Sequence, residues 1–234
     1  MRIPRHHAWD ITPAEARALQ QELAPQVSLV DAIDPVAVRI AVGVDNGYVK
    51  TDAGYVAYAA AVAVALPDLE VLEVAYGSAP VTFPYIPGFL TFREAPAILA
   101  SLQMLQAEPD VVLFDGQGYA HPRRFGLASH MGVVLGRPAI GCAKSRLVGE
   151  FAEPADEIGA WSPLVAGDET VGAALRTRPD HDPLFVSPGH MISVETAVEV
   201  VLSCCRDATF LPVPTGVAHE SVTAYTKPLR GKRR

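Results

Sequence analysis

Cysteine, charge and long apolar runs are all scarce in this chain of 234 residues, and each scarcity excludes a class of protein. Its three cysteines, Cys142, Cys204 and Cys205, are an odd number, and an adjacent pair is poorly placed for an ordinary bridge, so a disulfide framework is excluded and a reducing compartment expected. None has a CxxC or CxH neighbour, which leaves a zinc site without ligands at short spacing. They read as small buried side chains. The longest uncharged apolar run, Val56 to Leu66, stops at Pro67, well short of the ~20 residues a membrane span requires. It is a core element. No apolar stretch follows the basic residues of MRIPRHHAWD, so no secretory signal is read there and the cytoplasm is the expected location. With 50% hydrophobic and 19% charged residues the chain is neither collagen, coiled coil nor disordered. At this length one core buries roughly 70–75% of the unfolded surface, so a metal, if present, serves chemistry rather than folding.

The net charge of -7 argues mildly against a nucleic-acid coat, but the distribution is uneven. Gly116 to Gly149 holds no acidic residue and carries Arg123, Arg124, Arg137, Lys144 and Arg146. The tail from 227 to 234 adds Lys227, Arg230, Lys232, Arg233 and Arg234, whereas Glu150 to His190 is acidic. One face is therefore expected to seek phosphate, with binding that weakens as salt rises.

Thr12, Pro13 and Glu15 make a capping box with proline at the first helical position, opening a helix that ends before Pro25. Alternating Val38, Ile40, Val42 and Val44 predict a strand that ends at Asp45, where Asn46-Gly47 reads as a turn. Tyr55 to Leu66 and Leu69 to Tyr76 follow as strands around a Pro67-Asp68 turn, completing an antiparallel meander. A loop rich in proline and aromatics leads to a helix from Thr91, with Thr91 and Glu94 as a second capping box, running to about Gln106. Asp110 to Asp115 is a nearly all-apolar strand, as expected when both faces are buried. A Gly-rich loop then precedes a helix around Leu127 to Leu135 and a short strand near Pro138 to Cys142. Ala152 to Asp182 reads as a peripheral hairpin, and Phe185 to His190 precedes a helix from about Val194 to Arg206. Strands first, then helices alternating with strands, predict a mixed central β-sheet flanked by helices, an α/β or α+β fold in one domain spanning 1–234.

Asp45 and Asp115 both close apolar strands, and if those strands are parallel neighbours their ends meet at one sheet edge. Glu94, at a helix start, reaches the same region. Three carboxylates so close repel one another unless a cation neutralises them, and oxygen ligands favour Mg²⁺ or Mn²⁺ over zinc. Such a site suits phosphodiester hydrolysis. Aspartates also end strands as ordinary turn residues, and His219, placed in the first turn of a short helix capped by Thr215, is as a lone histidine often structural. Spacing alone leaves both readings open.

Two long strings, PYIPGFLTFREAP and DVVLFDGQGYAHPRRFGLASHMGVVLGRPAIGCAKSRLVGE, with VGVDNGY, SPGHMISVETAVEVV and LPVPT in support, resemble the endonuclease V (deoxyinosine 3′ endonuclease) family from Val42 to about Lys227. The resemblance implies an RNase H-like fold and cleavage of the second phosphodiester bond 3′ to a deaminated base, with Mg²⁺ as cofactor and Mn²⁺ able to substitute. It implies Asp45, Glu94 and Asp115 as metal ligands, His219 as the catalytic histidine and Lys144 as the lysine facing the scissile phosphate. Tyr85 resembles the wedge that enters the duplex where the damaged base leaves it, an extrusion that costs a few kcal/mol. Gly88, Leu90, Gly116 and Gly118 resemble the base pocket, with His121 assisting or bonding backbone.

The chain departs from the family pattern in two places. PVPTGVAH has Val213 and Gly216 where the family usually reads PEPTR, losing a carboxylate and an arginine before His219, and Asn46-Gly47 follows Asp45 in place of small or β-branched residues. The expected partner is DNA containing deoxyinosine, double- or single-stranded, bound by a monomer. An inosine-directed ribonuclease and an inosine-binding protein without turnover remain as alternatives.

Overall fold

The computed structural model describes residue 4, residues 7–206 and residues 209–230. Thr12 caps α1 (Pro13–Leu23) as the sequence predicts: its hydroxyl accepts from the Glu15 N–H at 3.3 Å while the Glu15 carboxylate accepts from the Thr12 N–H at 2.8 Å. There follow β1 (Ile40–Thr51), β2 (Gly54–Ala65), β3 (Glu70–Pro80), α2 (Leu90–Met104), β4 (Val111–Phe114), α3 (Leu127–Leu135), β5 (Ala139–Ala143), β6 (Trp161–Ala166), β7 (Glu169–Leu175), β8 (Leu184–His190), α4 (Val194–Ser203) and α5 (Val213–Thr226).

These strands form one mixed sheet in the order β3-β2-β1-β4-β5-β8-β7-β6. β1, β4 and β5 run parallel, and the remaining pairings are antiparallel. One face buries Val42, Val44, Val112 and Phe114 beneath α2 and α3. The other buries Ala41, Val111, Leu113 and Ile140 beneath α4, while Val213 and Ala218 of α5 cover Val62 and Val64. With both faces covered, β4 and β5 are buried along their whole lengths, which is why they read as apolar without alternation. This is the mixed sheet between helices that the element order predicts.

Four local expectations are corrected. The strand holding Asp45 does not stop at Asn46-Gly47, because β2 pairs with β1 along its full length, from Ile40↔Ala65 to Thr51↔Gly54, and that ladder overrides the local turn preference. No Thr91-Glu94 capping box forms: α2 begins at Leu90 with Phe89 in the cap position, and Thr91 and Glu94 are both buried within the helix. The hairpin β6-β7 is the outer edge of the central sheet, joined to it through β8, the strand formed by the segment before α4. Thr215 does not cap a short helix either; α5 starts at Val213 and the Thr215 hydroxyl donates to Pro212 O at 3.2 Å. Of the basic tail, Lys227 follows α5 and Arg230 ends a 3₁₀ turn, whereas Lys232, Arg233 and Arg234 lie outside the described residues. Among the described residues no helix is long and apolar enough to cross a membrane.

One close approach places α5. Gly43 on β1 faces the first turn of that helix, and a Cβ there would sit 2.0 Å from the carbonyl carbon of Pro214. Only glycine lets the helix lie flat on the strand. Gly216 is different, since a Cβ there meets nothing nearer than Leu211 Cβ at 3.6 Å. Gly43→Ala is therefore expected to destabilise the fold by about 2 kcal/mol or more, and Gly216→Ala to stabilise it by about 0.5–1 kcal/mol through helix propensity. Denaturant midpoints of the two variants check this pair; a Gly43→Ala midpoint equal to wild type would disprove the contact.

Candidate active site

The register of the parallel pair β1 and β4, with Val44 beside Phe114, sets Asp45 and Asp115 level on adjacent strands, and the Asp115 N–H donates to Val44 O at 3.1 Å. The helix held over Gly43 delivers His219, one turn beyond Thr215, so that its Nδ1 lies 2.6 Å from Asp45 Oδ2. One ligand atom from each of Asp45, Asp115 and His219 falls within 4.8 Å of the other two. Lys144, the first residue after β5, reaches across from the next strand and its ammonium bonds Asp115 Oδ2. Val213 and Gly216 do not disturb this arrangement: Val213 is buried against Val62 and Val64 and anchors the helix start by packing.

Glu94 approaches from α2. Its carboxylate is buried and accepts from the Tyr48 hydroxyl at 2.9 Å, and it is not among the three groups that converge within 4.8 Å. Burial, reinforced by the negative charges of Asp45 and Asp115 and opposed by the Tyr48 bond, pushes its carboxyl up to about 8. Burial and the adjacent Asp115 charge also raise Asp45, while its bonds to His219 and the Asn46 N–H pull it back. Burial and the Glu94 charge push the Tyr48 phenol up, keeping it a donor. Two adjacent carboxylates, an imidazole and a buried third carboxyl converge here, so a divalent cation fits, with Asp45 and Asp115 as oxygen ligands, His219 beside them and Glu94 behind.

A cavity of about 410 Å³ opens against the same carboxylates. Asp115, Gly116, Gln117, Lys144, Tyr85, Gly88, Leu90 and His121 are among the residues lining it. Asp115 thus belongs to both the cavity and the acidic group. Tyr85 stands at the rim, 75% exposed, with the Arg93 guanidinium 5.9 Å from its ring centroid.

The family model for endonuclease V matches residues 21–220. The chain belongs to the endonuclease V family. Endonuclease V of Methanothrix thermoacetophila is 49% identical over 221 residues, 94% of each chain. The crystal structure of endonuclease V from Bacillus subtilis superposes with a TM-score of 0.93 at 31% identity, covering 98% of this chain and 99% of that one. Endonuclease V of Ciona intestinalis, solved with a 23mer DNA containing an inosine followed by a ribo-adenosine, matches with a TM-score of 0.82 at 28% identity, covering 94% of this chain and all of that one.

Within this endonuclease V fold, Asp45, Asp115, His219 and Lys144 come together, and Tyr85, Gly88, Leu90, Gly116 and His121 surround one cavity. Gly118 does not line it; a Cβ there would lie 2.3 Å from Pro188 O, so this glycine serves strand packing. The arginines of the basic stretch also make contacts within the protein, while Lys144 and Arg146 line the cavity. Arg123 donates to Gly88 O, Arg124 pairs with Glu169 at 2.8 Å, Arg137 bonds Glu108, and Arg146 donates to Gly149 O at 2.6 Å. Sequence reading missed Tyr48, Arg93 and Gln117. Continuing the alternation past Asn46-Gly47 would have put Tyr48 on the Val42 and Val44 face, towards α2.

A carboxyl raised in the folded state favours folding while protonated, so the Glu94 contribution is present below about pH 4.5 and is lost as pH rises through about 8. Metal-free protein is expected to melt at lower temperature at pH 8 than at pH 5.5 on this account, and Mg²⁺ to raise the midpoint more at pH 8, because cation binding displaces protons. Glu94→Gln should flatten the metal-free dependence. Equal Mg²⁺ effects at both pH values would count against the electrostatic description.

Proposed function

We propose that the chain is a DNA-repair endonuclease that takes a deaminated adenine, deoxyinosine, out of the helix and hydrolyses the second phosphodiester bond on its 3′ side. The observation that carries this reading is that Asp115 belongs at once to a base-sized cavity and to the group of carboxylates and imidazole able to hold a cation. Lesion recognition and strand cleavage then share one wall. In this reading the protein works as a single domain in the cytoplasm.

Asp45 and Asp115, with Glu94 behind them, would hold the metal; carboxylate oxygens suit Mg²⁺, with Mn²⁺ as substitute, and His219 stands beside them. When bound, the ion lowers the pKa of water and stabilises the leaving oxygen. Asp45 orients His219 through Nδ1, leaving Nε2 to take a proton from the attacking water. Lys144 offsets the Asp115 charge and presents its ammonium to the scissile phosphate. Tyr85, exposed at the rim, fills the gap left by the extruded base and offsets part of the unstacking cost. Gly88, Leu90 and Gly116 admit the base close to backbone groups, and His121 supports Gly88 from behind.

A second reading, cleavage of inosine-containing RNA, draws on the Ciona protein, whose bound strand carries a ribonucleotide directly after the inosine. Both are tested with labelled duplexes carrying one deoxyinosine, matched inosine RNA and undamaged controls, all with Mg²⁺. The expected result is a nick one nucleotide beyond the lesion's 3′ neighbour bond, abolished in Asp45→Ala and slowed on the order of a hundredfold in His219→Ala. Preferential cutting of the RNA would favour the second reading. Inosine-selective binding with no scission of either strand would mean a binding protein without turnover and overturn both.

A further inference from the structure

Gly88 holds a left-handed backbone conformation, φ +82°, in the loop that forms one wall of the cavity, and a glycine peptide there turns easily unless something fixes it. Three donors converge on its carbonyl oxygen. Gln20 Nε2 and His121 Nε2 each lie 3.1 Å away, and Arg123 Nη2 lies 2.7 Å away. The proton positions follow from the network. The Arg123 N–H donates to His121 Nδ1 at 3.2 Å, so that nitrogen is the acceptor and Nε2 carries the hydrogen given to Gly88. Burial and the Arg123 charge push His121 down to about 4, which keeps the ring neutral.

Gln20 ties this arrangement together although it lies on α1, away from every motif. Its Nε2 also donates to Phe125 O at 3.3 Å, and its Oε1 accepts from Arg123 Nε at 2.7 Å. Two carbonyls on one side of the amide and a guanidinium on the other fix its orientation. Gly88 belongs to the loop before α2 and Phe125 to the loop before α3, and residues of both segments, Gly88 and Leu90 from the first and Gly126 and Leu127 from the second, line the cavity. One buried amide therefore sets the spacing of the two segments. Arg17, one turn earlier, adds a second hold, its guanidinium 6.0 Å from the Phe89 ring centroid, with Arg123 4.4 Å from the same ring.

We propose that Gln20 is a positioning residue of the lesion pocket, locking the Gly88 turn against the Phe125 loop and so setting which bases the pocket accepts. This rests on reading the cavity as the base pocket. Gln20 is fully buried and acts through Gly88 and Arg123 rather than by touching the base. It is not needed to dock the helix, because Ala16, Ile11 and Leu19 already pack against Phe83, Phe89 and Phe92. A buried amide is costly unless every partner is present, and of its partners Gly88 lines the cavity while Phe125 directly precedes the lining residue Gly126. The Gly88 carbonyl, with three donors, has no capacity left for a base, so discrimination falls to the other lining groups.

The test compares wild type with Gln20→Met, which keeps the volume and removes the amide, and with Gln20→Glu, which keeps the Arg123 partner and removes the donor. Each is assayed with deoxyinosine and undamaged strands, at a temperature where circular dichroism shows it folded. Loss of this hydrogen bonding is expected to raise KM about tenfold in both variants, to leave kcat within about twofold, and to narrow the preference for deoxyinosine by a similar factor. A residue that only supported the fold would lower the melting midpoint and leave KM and preference unchanged. Wild-type KM in either variant, or a fall in kcat alone, would overturn the proposal. A wild type that cuts neither strand would count against the functional reading of the site instead.

Discussion

The parallel pairing of Val44 with Phe114 makes neighbours of Asp45 and Asp115, and much of the remaining structure responds to the repulsion this creates. Two partly buried carboxylates on adjacent strands are unfavourable by themselves. The protein supplies two positive or donor groups from opposite directions, His219 from a helix and Lys144 from the next strand, and both carboxylates engage them. Behind them lies the buried Glu94, its carboxyl pushed up to about 8 and bonded by Tyr48. A fold selected for stability alone would not assemble this group. Its cost is understandable for a group that serves to hold a cation.

Delivery of the groups depends on how closely backbones approach. The absence of a side chain at Gly43 lets α5 contact β1 directly, so His219 arrives beside Asp45 without a long flexible reach. On the other side of Asp115, the cavity is bounded by glycine-containing loops whose carbonyls are already committed to Gln20, His121 and Arg123. Pocket and acidic group are thus rigid parts that meet at one residue, which is the preorganisation that both recognition and hydrolysis require.

The sequence disclosed the parts whose signals are local. The α1 capping box, the meander, the limits of α3 and Asp115 after its apolar strand all stand where residue pattern puts them. What it concealed was set by tertiary partners. Asn46-Gly47 carries a turn signal yet lies inside a strand because β2 pairs past it, and this hid Tyr48 and its bond to Glu94. Pro188 and Gly189 obscured β8, which is secured by pairing with β5 and β7. Val213, Pro214 and Gly216 are weak helix formers, and α5 exists because its buried residues rest on β1 and β2. The carboxylates that pair with Arg124 and Arg137, Glu169 and Glu108, lie outside the acid-free stretch. Gln20 had no signal at all, since its role appears only when two loops about 68 and 105 positions away are brought to it.

On the proposed function, Asp45 and Asp115 hold a divalent cation beside His219, where the cavity begins. Anomalous diffraction from crystals soaked in Mn²⁺ tests it most directly. The account predicts a peak bounded by the Asp45 and Asp115 carboxylates and lost in Asp115→Asn crystals. A peak elsewhere, or none at a Mn²⁺ concentration that supports strand cleavage, would contradict it.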